Sequence, residues 1–414
     1  MRPVRTLLVS HSDAAGGAAR ACFRLHRALR EHGTASEMLV RHRGTTDPHV
    51  HAAGLAPRAR SSLAHRGAAA LAPLHHDDGA FRSYNLLPSR WARRIDRAGA
   101  DVVNVHWVGA ETLSIADIGN IRSPLVLTLH DMWAFCGGEH YAPDGPAARW
   151  RTGYRAPAAG GRSRIDLDAS TWRRKRRHWR RMHVICPSRW LAGCARDSAL
   201  MAGWPVHVVP YALDLGVFSP GDRSAARTRL GLPHDRRLVL FGAPGGQADR
   251  RKGFDLFVDA LARVCTELDD VTAVTFGAAA TDARPAAPFP IVDLGVIRDD
   301  ATLARAYRAA DVAVVPSRQD NLAQCGTEAQ ACGVPTVAFR IGGMPDVLEH
   351  GETGWLVDEL SGLALADGIM RVLLDPARTA MGHAARARAV RAWAPEVIVA
   401  RHLDVYRAAI DGAS

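Results

Sequence analysis

One stretch constrains this chain more than any other: residues 311–345, DVAVVPSRQDNLAQCGTEAQACGVPTVAFRIGGMP. Val312 to Val315 is a short apolar run, the pattern of a strand covered on both faces. Ser317 to Gly326 is polar and loop-like. Gly326 is expected to open a helix that Gly333 ends. Val334 to Phe339 follows as a strand, then the turn Gly342-Gly343. Parallel strand, loop, helix, strand is an α/β unit. A helix start just past such a strand offers free amides and a positive dipole end, a place to hold phosphate. The loop also carries Asp320 and, eight positions on, Glu328. A carboxylate there either accepts hydrogen bonds from sugar hydroxyls or merely complements the helix dipole. On residue type alone the dipole reading is the stronger.

At 414 residues the chain is long enough for two domains. Hydrophobic residues make up 47% and charged residues 23%, a soluble globular balance that excludes disorder and collagen-like repeats. Its seven cysteines include no C-x-x-C pair, so neither a zinc site nor a disulfide framework is indicated, and a reduced, cytoplasmic compartment is expected. The start MRPVRTLLVSHSD is too short in apolar residues for a signal peptide, and no run approaches the ~18 needed to span a bilayer. The net charge of +11 suits nucleotide phosphates, anionic lipid headgroups or nucleic acid.

In the first half, Thr6–Ser10 reads as a strand, then the loop HSDAAGG, then a helix over 18–32. Gly16 and Gly17 would let a ligand approach the backbone, or would simply make a tight turn. Further strands are expected at 37–40, 101–107, 125–130, 183–187 and 206–210, with an Ala-rich helix near 61–71. His106 and His130 end two of these strands, at the edge where open parallel sheets bind ligands. His106 reads as structural. Residues 139–182 look like an insertion. Its run Trp172 to Arg181 alternates aromatics with cations. That run suits either a solvated helix face anchored by two tryptophans or an anionic membrane surface, with nucleic acid the weakest reading. Asp166-Leu-Asp168 is formally a metal-binding D-x-D, but three-residue matches are common by chance, and no metal site is assigned.

In the second half, residues 215–234 read as a linker. A strand at Leu238–Phe241 leads through Gly242 into the loop GAPGGQADRRKG, then an amphipathic helix from Phe254. Strand, glycine-rich loop, basic residues, helix is phosphate-binding logic. Strands at 271–276 and 291–295 and a helix at 302–310 lead to the opening stretch. A turn and strand at 351–357 and helices near 361–374, 378–392 and 395–410 complete the chain.

Asp320-x7-Glu328 followed by Ala329, Ala331, Gly333, Pro335, Thr336 and Val337 resembles the nucleotide-sugar site of retaining family 4 glycosyltransferases, which have the GT-B fold. The family usually has Glu where Asp320 stands. His130-Asp131-Met132-Trp133-Ala134-Phe135-Cys136-Gly137-Gly138 resembles the HDMWAF-x-GG of bacterial exopolysaccharide transferases, and Lys252-Gly253 matches the family's K-G. Ser188 and the run Val208 to Asp214 resemble the crossing between domains, with Tyr211 where Asn is usual.

The resemblance implies two Rossmann-like, doubly wound domains facing across a cleft. The first spans 1–212 on the acceptor side, the second 213–393 on the nucleotide-sugar side, and a final helix at 394–414 returns to the first. It implies a nucleoside diphosphate sugar as donor, no cofactor, no metal, and a glycan or lipid-linked acceptor. Lys252 would neutralise the diphosphate. The companion Arg normally lies five residues earlier, at Gln247, so Arg251 or Arg250 is expected to replace it, Arg251 by preference. Glu328 would hold the ribose, with Gly242, Gly326 and Thr327 near the nucleotide. His130 and Asp320 would orient the sugar. Gly16 and Gly17 would lie over the phosphates and acceptor. The basic run 172–181 would allow peripheral contact at the inner membrane face. Two other activities fit the same motifs: a nucleotide-sugar epimerase or hydrolase, and a non-catalytic protein that binds anionic surfaces.

Overall fold

Apolar runs buried along their length become the strands of two parallel sheets. A computed structural model of the chain describes residues 4–53, 81–155, 166–243, 249–277 and 287–413. The helix expected near 61–71 lies outside these residues, as does Gln247. Contacts group the chain into two units, Met1–Tyr211 with Ile398–Ser414, and Ala212–Val397.

In the first unit the strands are β1 (Arg5–Ser12), β2 (Ala35–His42), β3 (Val50–Ala52), β4 (Val102–Val105), β5 (Leu125–Thr128), β6 (His183–Cys186) and β7 (Val206–Val208). Their order is β3-β2-β1-β4-β5-β6-β7, and every pairing is parallel. β4 and β5 are buried at every position, as a central parallel strand must be. Two polar residues, Asn104 and Thr128, interrupt them. Asn104 on β4 takes a hydrogen bond from Thr128 Oγ1 at 2.9 Å and gives one to the Tyr406 hydroxyl at 2.8 Å. A buried amide needs such partners. This bond ties the helix Pro395–Asp411 to β4 across 302 positions of sequence.

The second unit holds β8 (Arg237–Gly242), β9 (Val271–Phe276), β10 (Ile291–Asp293), β11 (Val312–Val315), β12 (Thr336–Phe339) and β13 (Gly354–Val357), in the order β10-β9-β8-β11-β12-β13. This is the doubly wound order of dinucleotide-binding sheets, with the switch point between β8 and β11.

The expected linker at 215–234 instead contains a helix, Arg223–Leu230. Asp222 caps it by accepting from the Ala225 amide, and Gly231 closes it in the left-handed region. Its weak apolar periodicity hid it. The helix is held by charge: buried Arg227 pairs with buried Asp311 at 2.8 Å, and the same carboxylate oxygen takes the Leu238 amide at 2.8 Å.

In the basic run the structure matches the reading of a helix face anchored by two tryptophans. Residues Leu167–His178 form a helix capped by Asp166. Trp172 and Trp179 are both buried in the first unit's core, so neither is available to a membrane. Lys175 is fully buried. Arg173, Arg176 and Arg177 remain on an exposed face. The D-x-D is used internally: Asp166 accepts from the Ala169 amide, and Asp168 accepts from the Gly138 amide and pairs with Arg82. No helix among the described residues is long and apolar enough to cross a membrane.

Replacing Asp311 by Ala strands Arg227 as a buried charge. The expected loss is about 3–5 kcal/mol of unfolding free energy, measurable by urea denaturation of the variant.

Candidate functional site

β8 and β11 lie side by side where the sheet order reverses, so the loops leaving their carboxyl ends converge. The loop after β8 ends in a single 3-10 turn, Arg250–Lys252. Asp249 caps that turn from the Arg251 amide at 3.0 Å and pairs with the Arg251 guanidinium at 2.8 Å. Gly253 follows with φ +70°, and a Cβ there would lie 1.9 Å from the Pro316 carbonyl oxygen. Only glycine lets the turn press against the end of β11. Gly242, at the end of β8, is also dictated by packing: a Cβ would meet the Phe276 ring at 1.9 Å.

The loop after β11 delivers Asp320 to the same place. Lys252 Nζ donates to Asp320 Oδ2 at 2.7 Å, and Arg251 Nη1 lies 3.8 Å from that oxygen. Ser317 Oγ donates to it at 3.1 Å, and the other oxygen takes the Asn321 amide at 3.0 Å. Asp320 is only 6% exposed. Burial opposes its charge, but Lys252 and then Arg251 outweigh burial and hold its carboxyl below the ordinary value. The structure therefore brings Lys252, Arg251 and Asp320 together, while Arg250 is exposed.

The helix beyond runs Gln324–Ala331 and starts earlier than Gly326. The amides of Gly326 and Thr327 both donate to the Ala323 carbonyl, at 3.0 and 3.2 Å, so they lie inside the first turn and are not its open end. Gly326 is small for another reason: a Cβ would sit 2.8 Å from Val347 Cγ1. Glu328 is buried, and Tyr307 donates its hydroxyl to Glu328 Oε2 at 2.8 Å. Sequence reasoning missed Tyr307. It falls on the apolar face of the helix Asp300–Ala309, and its spacing is that of any core residue.

In the first unit, Gly16 and Gly17 stand at the start of the helix Gly17–Glu31, both exposed, with Gly16 at φ +88°. His130 follows β5. Its Nδ1 lies 3.0 Å from the Tyr211 hydroxyl and its Nε2 lies 3.0 Å from His106 Nδ1. The ring stacks on Tyr211 at 5.3 Å between centroids. Two adjacent imidazoles cannot easily both be charged. Burial, opposed by Asp131, lowers His130 to about 4; burial, then His130 and His402, push His106 well below its ordinary value. His106, expected to be only structural, is thus the direct partner of His130. Both line a cavity with Trp107, Asp131, Trp133 and Trp179. Asp131 takes hydrogen bonds from Trp107 Nε1 at 3.0 Å and the Trp133 amide at 2.9 Å, and His140 Nδ1 lies 2.6 Å away. Among the described residues no group of three His, Cys, Asp or Glu side chains could hold a metal ion.

Comparison with known proteins follows this division. A family model described as Glycosyltransferase Family 4 matches residues 15–217, and one described as Glycosyl transferases group 1 matches residues 236–375. The D-inositol 3-phosphate glycosyltransferase 1 of Catenulispora acidiphila is 36% identical over 250 residues, covering 55% of this chain and 59% of that protein. The D-inositol 3-phosphate glycosyltransferase of Segniliparus rotundus is 34% identical, covering 50% of this chain and 48% of that protein. The chain thus spans about half the length of the curated relatives it matches. Among solved structures, sucrose-phosphate synthase from Thermosynechococcus elongatus superposes with a TM-score of 0.68 at 20% identity, over 99% of this chain and 100% of that one. Anabaena Alr3699/HepE in complex with UDP-glucose superposes with a TM-score of 0.65 at 19% identity, over 97% and 99%. These two likenesses are of fold.

The His130 ring is expected to stay neutral from pH 8 down to about 4. Its ordinary value is 6.5, so between 6.5 and about 4 the unfolded chain binds more protons at this position. Stability contributed here is therefore lost as pH falls through that window. Ring NMR shifts of His130 should titrate near 4, and a midpoint above 6 would contradict the burial of this ring.

Proposed function

The chain belongs to the family 4 glycosyltransferases, with the two Rossmann-like sheets of the GT-B fold, and from this we propose that it transfers a sugar from a nucleoside diphosphate to an acceptor hydroxyl with retention of configuration. One observation carries the reading: Lys252 and Arg251 converge on Asp320 at the switch point of the second sheet. The hard step is departure of the diphosphate as the sugar carbon becomes cationic. Positive groups already fixed around the leaving oxygens stabilise the charge growing there, without reorganising at the moment of reaction.

Lys252 and Arg251 are those groups. When the diphosphate arrives they are shared between it and Asp320, and the start of the helix at Gln324 adds its dipole. Glu328, held by Tyr307, accepts from the ribose hydroxyls. Neutral His130, fixed by His106 and Tyr211, orients the sugar. The donor phosphate itself takes the acceptor's proton, so no pair of carboxylates flanking the bond is required. A UDP-hexose is the first donor to test, given the UDP-glucose bound by the Anabaena neighbour. The acceptor is a glycan, lipid-linked or polyol phosphate hydroxyl, the last suggested by the names of the relatives. The exposed Arg173, Arg176 and Arg177 supply any contact with an anionic bilayer.

Thermal shift against a panel of UDP- and GDP-sugars tests the donor. A true donor raises the melting temperature by mass action. Lys252→Ala should lower kcat about 10²–10³-fold, and Glu328→Ala should raise the donor KM more than it lowers kcat. Full-speed transfer in both variants would end the reading. Donor turnover that proceeds equally with no acceptor would replace it by hydrolysis or epimerisation. For the surface contact, Arg173→Glu with Arg176→Glu should abolish sedimentation with phosphatidylglycerol vesicles. Unchanged sedimentation removes these arginines from the interface.

A further inference from the structure

Lys175 sits in the middle of the basic run, yet it is fully buried. Its ammonium donates to three main-chain carbonyls of one tight turn: those of Trp133, of Cys136 at 3.1 Å and of Gly137 at 2.7 Å. It also lies 3.9 Å from the centre of the Trp133 ring and 5.7 Å from that of Trp179. An ammonium has three donors and no acceptor, so three carbonyls satisfy it completely.

That turn is the continuation of His130. Asp131 accepts from the Trp133 amide, and the Phe135 and Cys136 amides fold back on the Met132 carbonyl at 3.2 and 3.0 Å. The far side is held by Tyr154, whose hydroxyl accepts from the Gly137 amide at 2.7 Å and donates to Glu139 at 2.9 Å. Outside the turn, the Met132 amide donates to the His140 carbonyl, Trp133 Nε1 to the Ser83 carbonyl and the Gly138 amide to Asp168, but among the described residues it is Lys175 whose side chain gathers three of the turn's carbonyls at one point. We propose that Lys175 is a positioning residue for the proposed transfer: its ammonium clamps the turn 133–137 and so fixes Asp131 and His130 at the end of β5. The inference rests on the reading of His130 given above.

The charged and titratable groups around it are Asp131, Cys136 and Glu139 on the turn and Arg174 on its own helix. Burial lowers Lys175 to about 7; the first three groups oppose that shift and Arg174 assists it. A neutral amine has only two N–H donors for three carbonyls, and its lone pair must face the third. Above neutrality the clamp therefore loosens. The unfolded chain keeps this proton up to an ordinary lysine value of 10.5, so between about 7 and 10.5 Lys175 makes stability rise with pH.

The test compares wild type, Lys175→Met, Lys175→Arg, His130→Ala and the His130→Ala/Lys175→Met double variant. Lys175→Met should keep the thermal shift given by the donor, because Lys252 and Glu328 are untouched, and lose about a hundredfold in kcat with donor KM nearly unchanged. Lys175→Arg should recover about tenfold of that loss and move the alkaline fall in rate, near pH 7 in wild type, to higher pH. The double variant should be no slower than His130→Ala alone, since the two act as one unit. A kcat for Lys175→Met near that of wild type, or losses that multiply in the double variant, overturns the proposal. If Lys175→Met does not fold, a wild-type rate that is flat from pH 6 to 9 overturns it instead. If no donor is turned over by the wild type, the transferase reading fails separately. Hydrogen exchange of the 133–138 amides then decides the clamp: faster in Lys175→Arg or at pH 9 than the intrinsic rate change explains supports it, and unchanged protection overturns it.

Discussion

A carboxylate buried at the end of a parallel strand must be paid in positive charge, and the second unit is arranged around that requirement at Asp320. Lys252 reaches it at 2.7 Å and Arg251 stands at 3.8 Å. To bring those cations there, the loop after β8 must end in a cap at Asp249, a 3-10 turn, and a glycine that alone tolerates the Pro316 carbonyl. The switch point supplies the site and the ion pair supplies its order. Such a pair is weak evidence for stability, because desolvation offsets most of its Coulomb energy. It is better understood as a way to hold two cations still, which is what the proposed departure of a diphosphate would need.

Asp320 is one methylene shorter than the glutamate usual at this place in the family. In this chain the short side chain engages both its oxygens within the protein, one with Lys252 and Ser317, the other with the Asn321 amide. It organises the cations around it, and any contact with a donor sugar is made from that fixed position. Glu328 follows the same logic, with Tyr307 in place of a cation.

The first unit solves a different problem. Burial keeps His130 neutral against the pull of Asp131, while a second imidazole engages one ring nitrogen and a tyrosine hydroxyl the other. A neutral ring with both nitrogens engaged has one orientation. The turn after it is held from behind by a lysine with no exposed surface, donated by a helix whose Arg173, Arg176 and Arg177 face outward.

Much of this was legible before any coordinates. Buried β-branched runs announce parallel strands because such strands have no solvent face to advertise, and the motif spacing around Asp320, Glu328 and Lys252-Gly253 marked the loops that converge. Other features were not. The helix at Arg223–Leu230 is fastened by Arg227 and Asp311, a pair 84 positions apart that leaves no periodic trace. Gly326 looked like a helix start because glycine often serves there, but it is dictated by Val347, close only in space. In the run from Trp172 to Arg181 two anchoring tryptophans were one of the readings open in the sequence, but not the burial of Lys175 between them, with five arginines left outside. Apart from the three-residue β3, sequence alone determined which segments are strands and which loops carry charge, since local periodicity and residue type decide those. Tertiary structure alone decided which charge meets which, because a lysine's partner depends on distances that no spacing along the chain encodes.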